Sequence, residues 1–275
     1  MAKELQGEYL VAFATVAPNK KAPVKVSAAI DGNNPDIVFC SFASLNPDVI
    51  IEGKKKGLQV IVRNDYLLAD QPTHIVQRIK ETYHLADLVI AQTEESRKEL
   101  IDCIHLDNAK VIVKENPIDK EGILNKIRNS TNPYPDNGCI HFVWVGRFNP
   151  IKDLDMLLKA FAIVHRKEPA SELYLVGNPD NPQKYMMDGV HLVGFQDNPY
   201  PWIKYSDCLL LSSKSEANPN VVLESMFLGT PIISTRYNKG IVENDMHYIS
   251  STNKPESFAE QITNFINTHL WQISH

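Results

Sequence analysis

The chain has 275 residues, 43% of them hydrophobic, which is enough to bury two separate α/β cores. Its 28 basic and 33 acidic residues leave a net charge of -5. The basic residues gather in no single region, which argues against a nucleic-acid partner. No apolar run reaches the roughly 18 residues of a membrane-spanning helix, and Met1-Ala-Lys-Glu-Leu-Gln6 lacks the apolar centre of a signal peptide. Cys40, Cys103, Cys139 and Cys208 share no C-x-x-C spacing, and three of them sit at the edges of apolar runs. Reduced thiols in a cytoplasmic protein are therefore expected, not disulfides or a metal centre.

In chain order, short β-branched runs predict strands at 9–16, 37–40, 59–62, 88–92 and 110–113, with helices between them, clearest at 73–85 and 94–103. From 117 to 137 the apolar periodicity fades into a loop-forming composition that includes Asn129-Ser-Thr-Asn-Pro-Tyr-Pro-Asp-Asn-Gly138. A domain boundary is expected there, dividing the chain into 1–138 and 139–275. Strands resume at 140–145, 173–176, 191–193, 208–211, 231–234 and 247–250, with helices at 154–166, 220–228 and 256–270. This alternation predicts two parallel-sheet α/β units, with ligands at the C-terminal ends of the strands in the cleft between them.

Two loops of the second unit carry candidate chemistry. Gly146 follows the 140–145 strand and lets the backbone approach a ligand closely, while Arg147 and Lys152 place two cations beside a helix start. Such a site suits a diphosphate, with Arg147 binding two oxygens and Lys152 acting as a mobile point charge. Solvated loop residues would give the same short pattern. No G-x-G-x-x-G or G-x-x-x-x-G-K-[ST] occurs at this loop, which argues against NAD or ATP. Asp153 and Asp155 read as helix-start capping and charge complementarity, and no metal is expected.

The second loop runs Glu216-Ala-Asn-Pro-Asn-Val-Val-Leu-Glu224. Pro219 is shaped to begin a helix, which leaves the N–H groups of Asn220, Val221 and Val222 free for sugar hydroxyls or phosphate. Glu216 before that helix and Glu224 within it can each accept two neighbouring hydroxyls, as a hexose or a ribose diol offers. Taken singly, each carboxylate also reads as an ordinary helix-start or surface residue.

The string from Glu216 to Glu224 resembles the E-x7-E motif, usually near E-G-x-P-N-V-x-L-E-A, of the GT4 family (glycosyl transferase group 1) of retaining glycosyltransferases. Likeness extends to Val145-Gly-Arg-Phe-Asn-Pro-Ile-Lys152, Leu157-Leu-Lys-Ala-Phe161, Leu175-Val-Gly177, His191-Leu-Val-Gly-Phe195 and Tyr205-Ser-Asp207. Asn116-Pro-Ile-Asp119 looks like the interdomain Asn-Gly-Val-Asp signature. The resemblance implies a GT-B fold: an N-terminal acceptor-side Rossmann-like domain and a C-terminal donor-binding one. It also implies that Arg147 and Lys152 bind the donor diphosphate and that Glu216 faces the transferred sugar. Glu224 would hold the ribose hydroxyls, and the backbone at Gly146, Asn218, Pro219, Asn220 and Val221 would line the donor.

The chain departs from the family pattern in four places. Ala217 and Asn218 replace the usual Gly and hydrophobe, and if that Gly has positive φ, Ala217 costs about 1 kcal/mol. Asn64 stands where the family usually has a His near the reacting sugar. The stretch 2–7 looks like the end of a first helix and 9–16 like the second strand, so the N-terminal domain is expected to lack its first strand. The chain also ends where family members usually continue into a further helix.

The resulting expectation is a hexosyltransferase, acting with retention, that moves a sugar from a UDP- or GDP-sugar to a glycan or lipid-linked acceptor in surface polysaccharide or glycoconjugate biosynthesis. It requires no cofactor or metal. The rival reading is a non-catalytic donor-binding subunit, or a truncated protein that needs a partner chain; a nucleotide-sugar epimerase is a third. Peripheral contact with the inner face of the membrane through Lys20-Lys21 or Lys54-Lys-Lys56 competes with capping of a helix C-terminus by the second run. Trp202, with Tyr200 and Tyr205, could stack on a nucleobase or pack between helices.

Overall fold

The computed structural model describes residues 12–237 and 244–273. Two compact α/β units divide at Pro117 and Ile118. The first contains α1 (Ala22–Asn33), β1 (Ile37–Cys40), α2 (Asn46–Lys55), β2 (Gln59–Asn64), α3 (Thr73–Thr82), β3 (Leu88–Ala91), α4 (Glu94–Ile104) and β4 (Val111–Val113). Its four strands are parallel, in the order β1-β2-β3-β4. The register Val62↔Val89↔Val111 stacks β-branched side chains on one face. There they meet Val26 and Ile30 of α1, Val49 and Ile50 of α2, and Leu100 of α4. On the opposite face Ile37 and Phe39 of β1 and Ile112 of β4 stay 46%, 43% and 41% exposed, while Ile90 of the central β3 is buried.

Local chemistry sets the helix limits. Thr93 caps α4 by accepting from the Ser96 N–H at 3.1 Å, with Glu94 and Glu95 in the first turn favouring the positive end of the helix dipole. The Lys54-Lys-Lys56 run closes α2 ahead of Gly57, whose φ is +71°. Lys54, Lys55 and Lys56 pair with Asp87, Glu52 and Asp31 at 2.8, 2.7 and 2.5 Å, so capping and ion pairs within the unit account for the run.

The second unit contains α5 (Lys120–Ile127), β5 (Ile140–Val145), α6 (Leu154–Lys167), β6 (Ser171–Val176), β7 (Val190–Gly194), α7 (Tyr200–Lys204), β8 (Cys208–Leu211), α8 (Asn220–Leu228), β9 (Ile232–Ser234), β10 (His247–Ile249) and α9 (Pro255–Ile273). The parallel sheet runs β10-β9-β8-β5-β6-β7. Phe142 and Trp144 pack into one core with α6 and α9, while Val143 joins Leu209, Leu211 and Val222 of α8 in another. Both faces are covered, which is why β5 reads as a continuous apolar run. Strand order grows one way from β5 to β7 and the other way from β8 to β10. The reversal between β5 and β8 is a topological switch point, where open α/β sheets bind ligands.

Two sequence expectations need correction. The units divide after Pro117, not after 138. The stretch read as linker contains α5, started by Asp119 accepting from the Gly122 N–H at 2.9 Å, with Ile123 and Ile127 buried one turn apart. Beyond α5, Tyr134 stacks on His141 at 4.8 Å and meets Tyr174 and Trp202 edge-on at 4.8 and 5.3 Å. That segment is therefore core of the second unit. Helix α1 lies between the first two expected strands, where a helix was expected without stated bounds, and its buried stripe is only Ala22, Val26 and Ile30. Of the strand expected at 9–16, residues 9–11 lie outside the described residues and 12–16 are irregular, having no ladder partner among the described residues. The readings at 2–7 also lie outside the described residues.

Candidate functional site

The loops after β5 and β8, on either side of the switch point, hold the sequence-predicted residues. After β5 the chain bends at Gly146, whose N–H is donated to the Val176 carbonyl at 3.0 Å. The Gly146 carbonyl lies only 2.2 Å from where a Cβ on Gly177 would stand. Two backbones thus close together at the ends of β5 and β6 in a space only glycine leaves open. Gly177→Ala is expected to destabilise the protein by roughly 1–3 kcal/mol through overpacking, read as a lower urea midpoint. An unchanged midpoint would refute this account of the loop.

Beyond Gly146, Arg147 is exposed, and its guanidinium has no partner among the described residues. Asn149 Oδ1 accepts from the Lys152 N–H at 3.2 Å and turns the chain through Pro150–Lys152. Asp153 then has φ 45°, a left-handed conformation that Asp tolerates better than most residues. It makes no side-chain cap on α6 and faces Lys214 Nζ at 3.6 Å instead, while Asp155 pairs with Lys184 at 2.8 Å. The capping expected of Asp153 is therefore absent, and Asp155 is the acidic residue in the first turn of α6.

The two loops are stitched together. Ser212 Oγ donates to the Lys152 carbonyl at 2.6 Å, and the Lys214 N–H donates to the Ile151 carbonyl at 2.8 Å. Across this seam Lys152 Nζ meets Glu216 Oε1 at 2.6 Å, with the two side chains 15% and 18% exposed. The Glu216 N–H is donated to the Tyr237 carbonyl at 3.2 Å. Burial pushes the Tyr237 phenol above its usual range, and the Glu216 charge adds to the effect. Ala217 is buried and does not have positive φ, so the strain expected there is absent.

Helix α8 starts after Pro219 (φ -72°, ψ 124°) with no side-chain cap. The Val222 N–H is taken by the Pro219 carbonyl at 3.1 Å. Among the described residues, the helix start therefore leaves two N–H groups without a partner, on Asn220 and Val221, instead of the three expected.

Glu224 has its own set of partners. Tyr200 Oη lies 3.5 Å from its Oε1, and Lys126 of α5 stands over the Tyr200 ring at 5.4 Å. Burial holds the Glu224 carboxyl above its usual range, against the downward pull of Tyr200 and Lys126. Sequence reasoning missed Lys126 because it lay in the supposed linker. Tyr205 donates to the Ser130 carbonyl at 3.2 Å, and Trp202 packs on Tyr134 and Tyr174, so those two aromatics are structural. In the first unit Asn64 is 1% exposed; its amide donates to the Tyr66 carbonyl and its oxygen accepts from Tyr83. Both of its polar ends serve the fold. Among the described residues, no three His, Cys, Asp or Glu side chains converge as metal ligands.

The sequence model of glycosyl transferases group 1 matches residues 140–268, from the start of β5 into α9 and a little under half of the chain. The second unit belongs to the glycosyl transferase group 1 family. An uncharacterised glycosyltransferase of Methanocaldococcus jannaschii, MJ1059, is 29% identical over 177 residues, 58% of this chain and 42% of that protein. The lipopolysaccharide core biosynthesis glycosyltransferase LpsE of Rhizobium meliloti is 35% identical over 100 residues, 34% of this chain and 28% of its own. The chain thus spans less than half the length of these two curated relatives. Among solved structures, Anabaena HepE in complex with UDP-glucose superposes with a TM-score of 0.72 at 15% identity, covering 98% of this chain and 80% of that one. This likeness establishes the fold as two Rossmann-like units of the GT-B class, with the group 1 domain as the second.

Proposed function

We propose that this chain is a retaining hexosyltransferase that takes its sugar from a UDP-sugar, with a GDP-sugar as the alternative donor. The observation that carries the reading is the Lys152–Glu216 pair, a half-sequestered cation and carboxylate bridging the two loops of the switch point. Arg147 and Lys152 neutralise the departing nucleoside diphosphate, and Glu216 stabilises positive charge at the anomeric carbon. Glu224 accepts from the ribose diol, and the Asn220 and Val221 amides bind sugar or phosphate oxygens. As the bond from the anomeric carbon to the diphosphate breaks, the acceptor hydroxyl oxygen bonds to that carbon on the same face. Its proton passes to the departing phosphate oxygen. The reading asks for no metal.

The UDP-glucose complex of HepE favours uridine over guanosine, and LpsE points to a glycan or lipid-linked acceptor in surface glycoconjugate assembly. The cytoplasm, at most with peripheral contact at the inner membrane face, fits four free cysteines and the absence, among the described residues, of a helix long and apolar enough to cross a membrane. A thermal-shift panel of nucleoside diphosphates and their sugars tests the reading, since a ligand at a hundredfold its Kd stabilises by about 2.7 kcal/mol. UDP and a UDP-hexose are expected to raise Tm, and Arg147→Ala to weaken UDP by about 1.5–3 kcal/mol. No shift with any nucleotide would refute it.

A further inference from the structure

The first unit has an open cleft, largely apolar where Pro18, Pro23 and Ile75 line it and carrying charged groups around them, that the donor chemistry does not use. Its volume is about 630 Å³, and Asn19, Lys20, Ser44, Asp48, His74 and Arg78 line it. That volume falls in the range of small-molecule sites, roughly 300–1,000 Å³. Ser44 and Asp48 precede and open α2, and His74 and Arg78 lie one turn apart on α3. Both helices begin beyond the C-terminal ends of strands, on the ligand-binding side of an open α/β sheet.

The charges are arranged for an anion. Asp48 is the sole acidic lining residue, is 5% exposed, and holds Arg78 Nη2 at 2.6 Å. That contact neutralises Asp48 and fixes the guanidinium, whose other N–H groups remain for a ligand. Lys20 and His74 are exposed and have no ion-pair partner among the described residues. The N–H groups of Thr73 and His74, at the uncapped start of the ten-residue α3, also have no partner among the described residues. Asn19 Oδ1 accepts from the Lys21 N–H at 2.9 Å, which leaves its amide group as a further donor.

So many donors exceed what one carboxylate can accept, and they suit the three oxygens of a phosphate ester. Apart from the His74 imidazole no aromatic ring lines the cleft, so a nucleobase has nothing to stack on. The Lys20-Lys21 pair, unexplained by the donor site, thereby acquires a role.

We propose that this cleft binds the phosphate group of a small phosphorylated compound through Lys20, His74 and Arg78. Naming that compound the acceptor rests on the transferase reading; its binding does not.

Titration calorimetry with glycerol 1-phosphate and with inorganic phosphate tests the site in the full chain. Saturable binding is expected, weakened at least tenfold in Lys20→Gln/His74→Gln, with the melting temperature and UDP affinity unchanged. Arg78→Lys keeps a charge against Asp48 but loses the fork, and should weaken the ester while leaving the melting temperature nearly intact. Sedimentation with phosphatidylglycerol and phosphatidylcholine vesicles separates a soluble phosphate from a lipid headgroup. Lys20-dependent binding to phosphatidylglycerol vesicles without binding of soluble esters would overturn the proposal, as would equal ester binding by wild type and the double variant. Failure of UDP alone would count against the transferase reading and leave the phosphate titration standing.

Discussion

Glu216→Gln is expected to leave UDP bound at least as tightly as in wild type while sugar transfer from the UDP-sugar falls by roughly 10²–10³-fold. Lys152→Ala is expected to lower both. The contrast follows from the 2.6 Å contact between the two side chains. Without donor, Lys152 spends its charge on Glu216; a bound diphosphate competes for the same ammonium. Removing the carboxylate charge frees Lys152 for phosphate and costs UDP nothing, because UDP has no sugar for Glu216 to face. The transition state does lose the carboxylate that opposes positive charge at the anomeric carbon. Lys152→Ala instead removes the ammonium that the diphosphate would take from Glu216, and UDP should weaken by about 1.5–3 kcal/mol. Calorimetry with UDP, paired with a transfer or donor-hydrolysis assay, separates the outcomes. Equal loss of UDP affinity in both variants would show that Glu216 serves the diphosphate and not the sugar.

How much of this site the sequence revealed depended on distance along the chain. The β5 loop and the Glu216 to Glu224 segment are contiguous and carry Gly, Pro and charge at fixed spacings, so local chemistry exposed them. The 64-residue separation of Lys152 from Glu216 is closed only by the β5–β8 pairing at the switch point. No periodicity in either segment encodes that contact. Lys126 was hidden differently: Gly122 and Asn125 gave its helix a loop-like composition, and its two buried residues, Ile123 and Ile127, are too few for an amphipathic stripe. Tertiary packing against α7 overrode weak local propensity. Strands were legible because β5 and β8 are buried on both faces and read as unbroken apolar runs. Strand Gln59–Asn64 was cut short at 62 because Arg63 and Asn64 end it with polar side chains, although Asn64 is buried on Tyr83.

Glu224→Gln should trade function for stability, in a way that depends on pH. Burial raises the Glu224 carboxyl above its usual range in the folded protein, while in the unfolded chain it titrates near 4.3. Between those values the folded state binds more protons, so stability falls as pH rises through the folded value and is fully retained below the unfolded one. Above that folded value wild-type Glu224 is a carboxylate held at a cost in a half-buried place. Glutamine removes that cost, so the variant should melt above wild type at pH 7, with the gain vanishing below about pH 4. Donor binding should move the opposite way. A carboxylate accepts from both ribose hydroxyls, whereas glutamine has one carbonyl oxygen and turns a donor toward the second hydroxyl. UDP should weaken by about 1–2 kcal/mol, in keeping with loss of a charged hydrogen bond, and a 2′,3′-dideoxy analogue should bind wild type and variant alike. The same logic makes wild-type UDP affinity decline as pH falls through the raised Glu224 value. If Glu224→Gln weakened UDP and the dideoxy analogue equally, Glu224 would be supporting the loop instead of binding ribose, and the Tyr200 and Lys126 contacts would then describe structure alone.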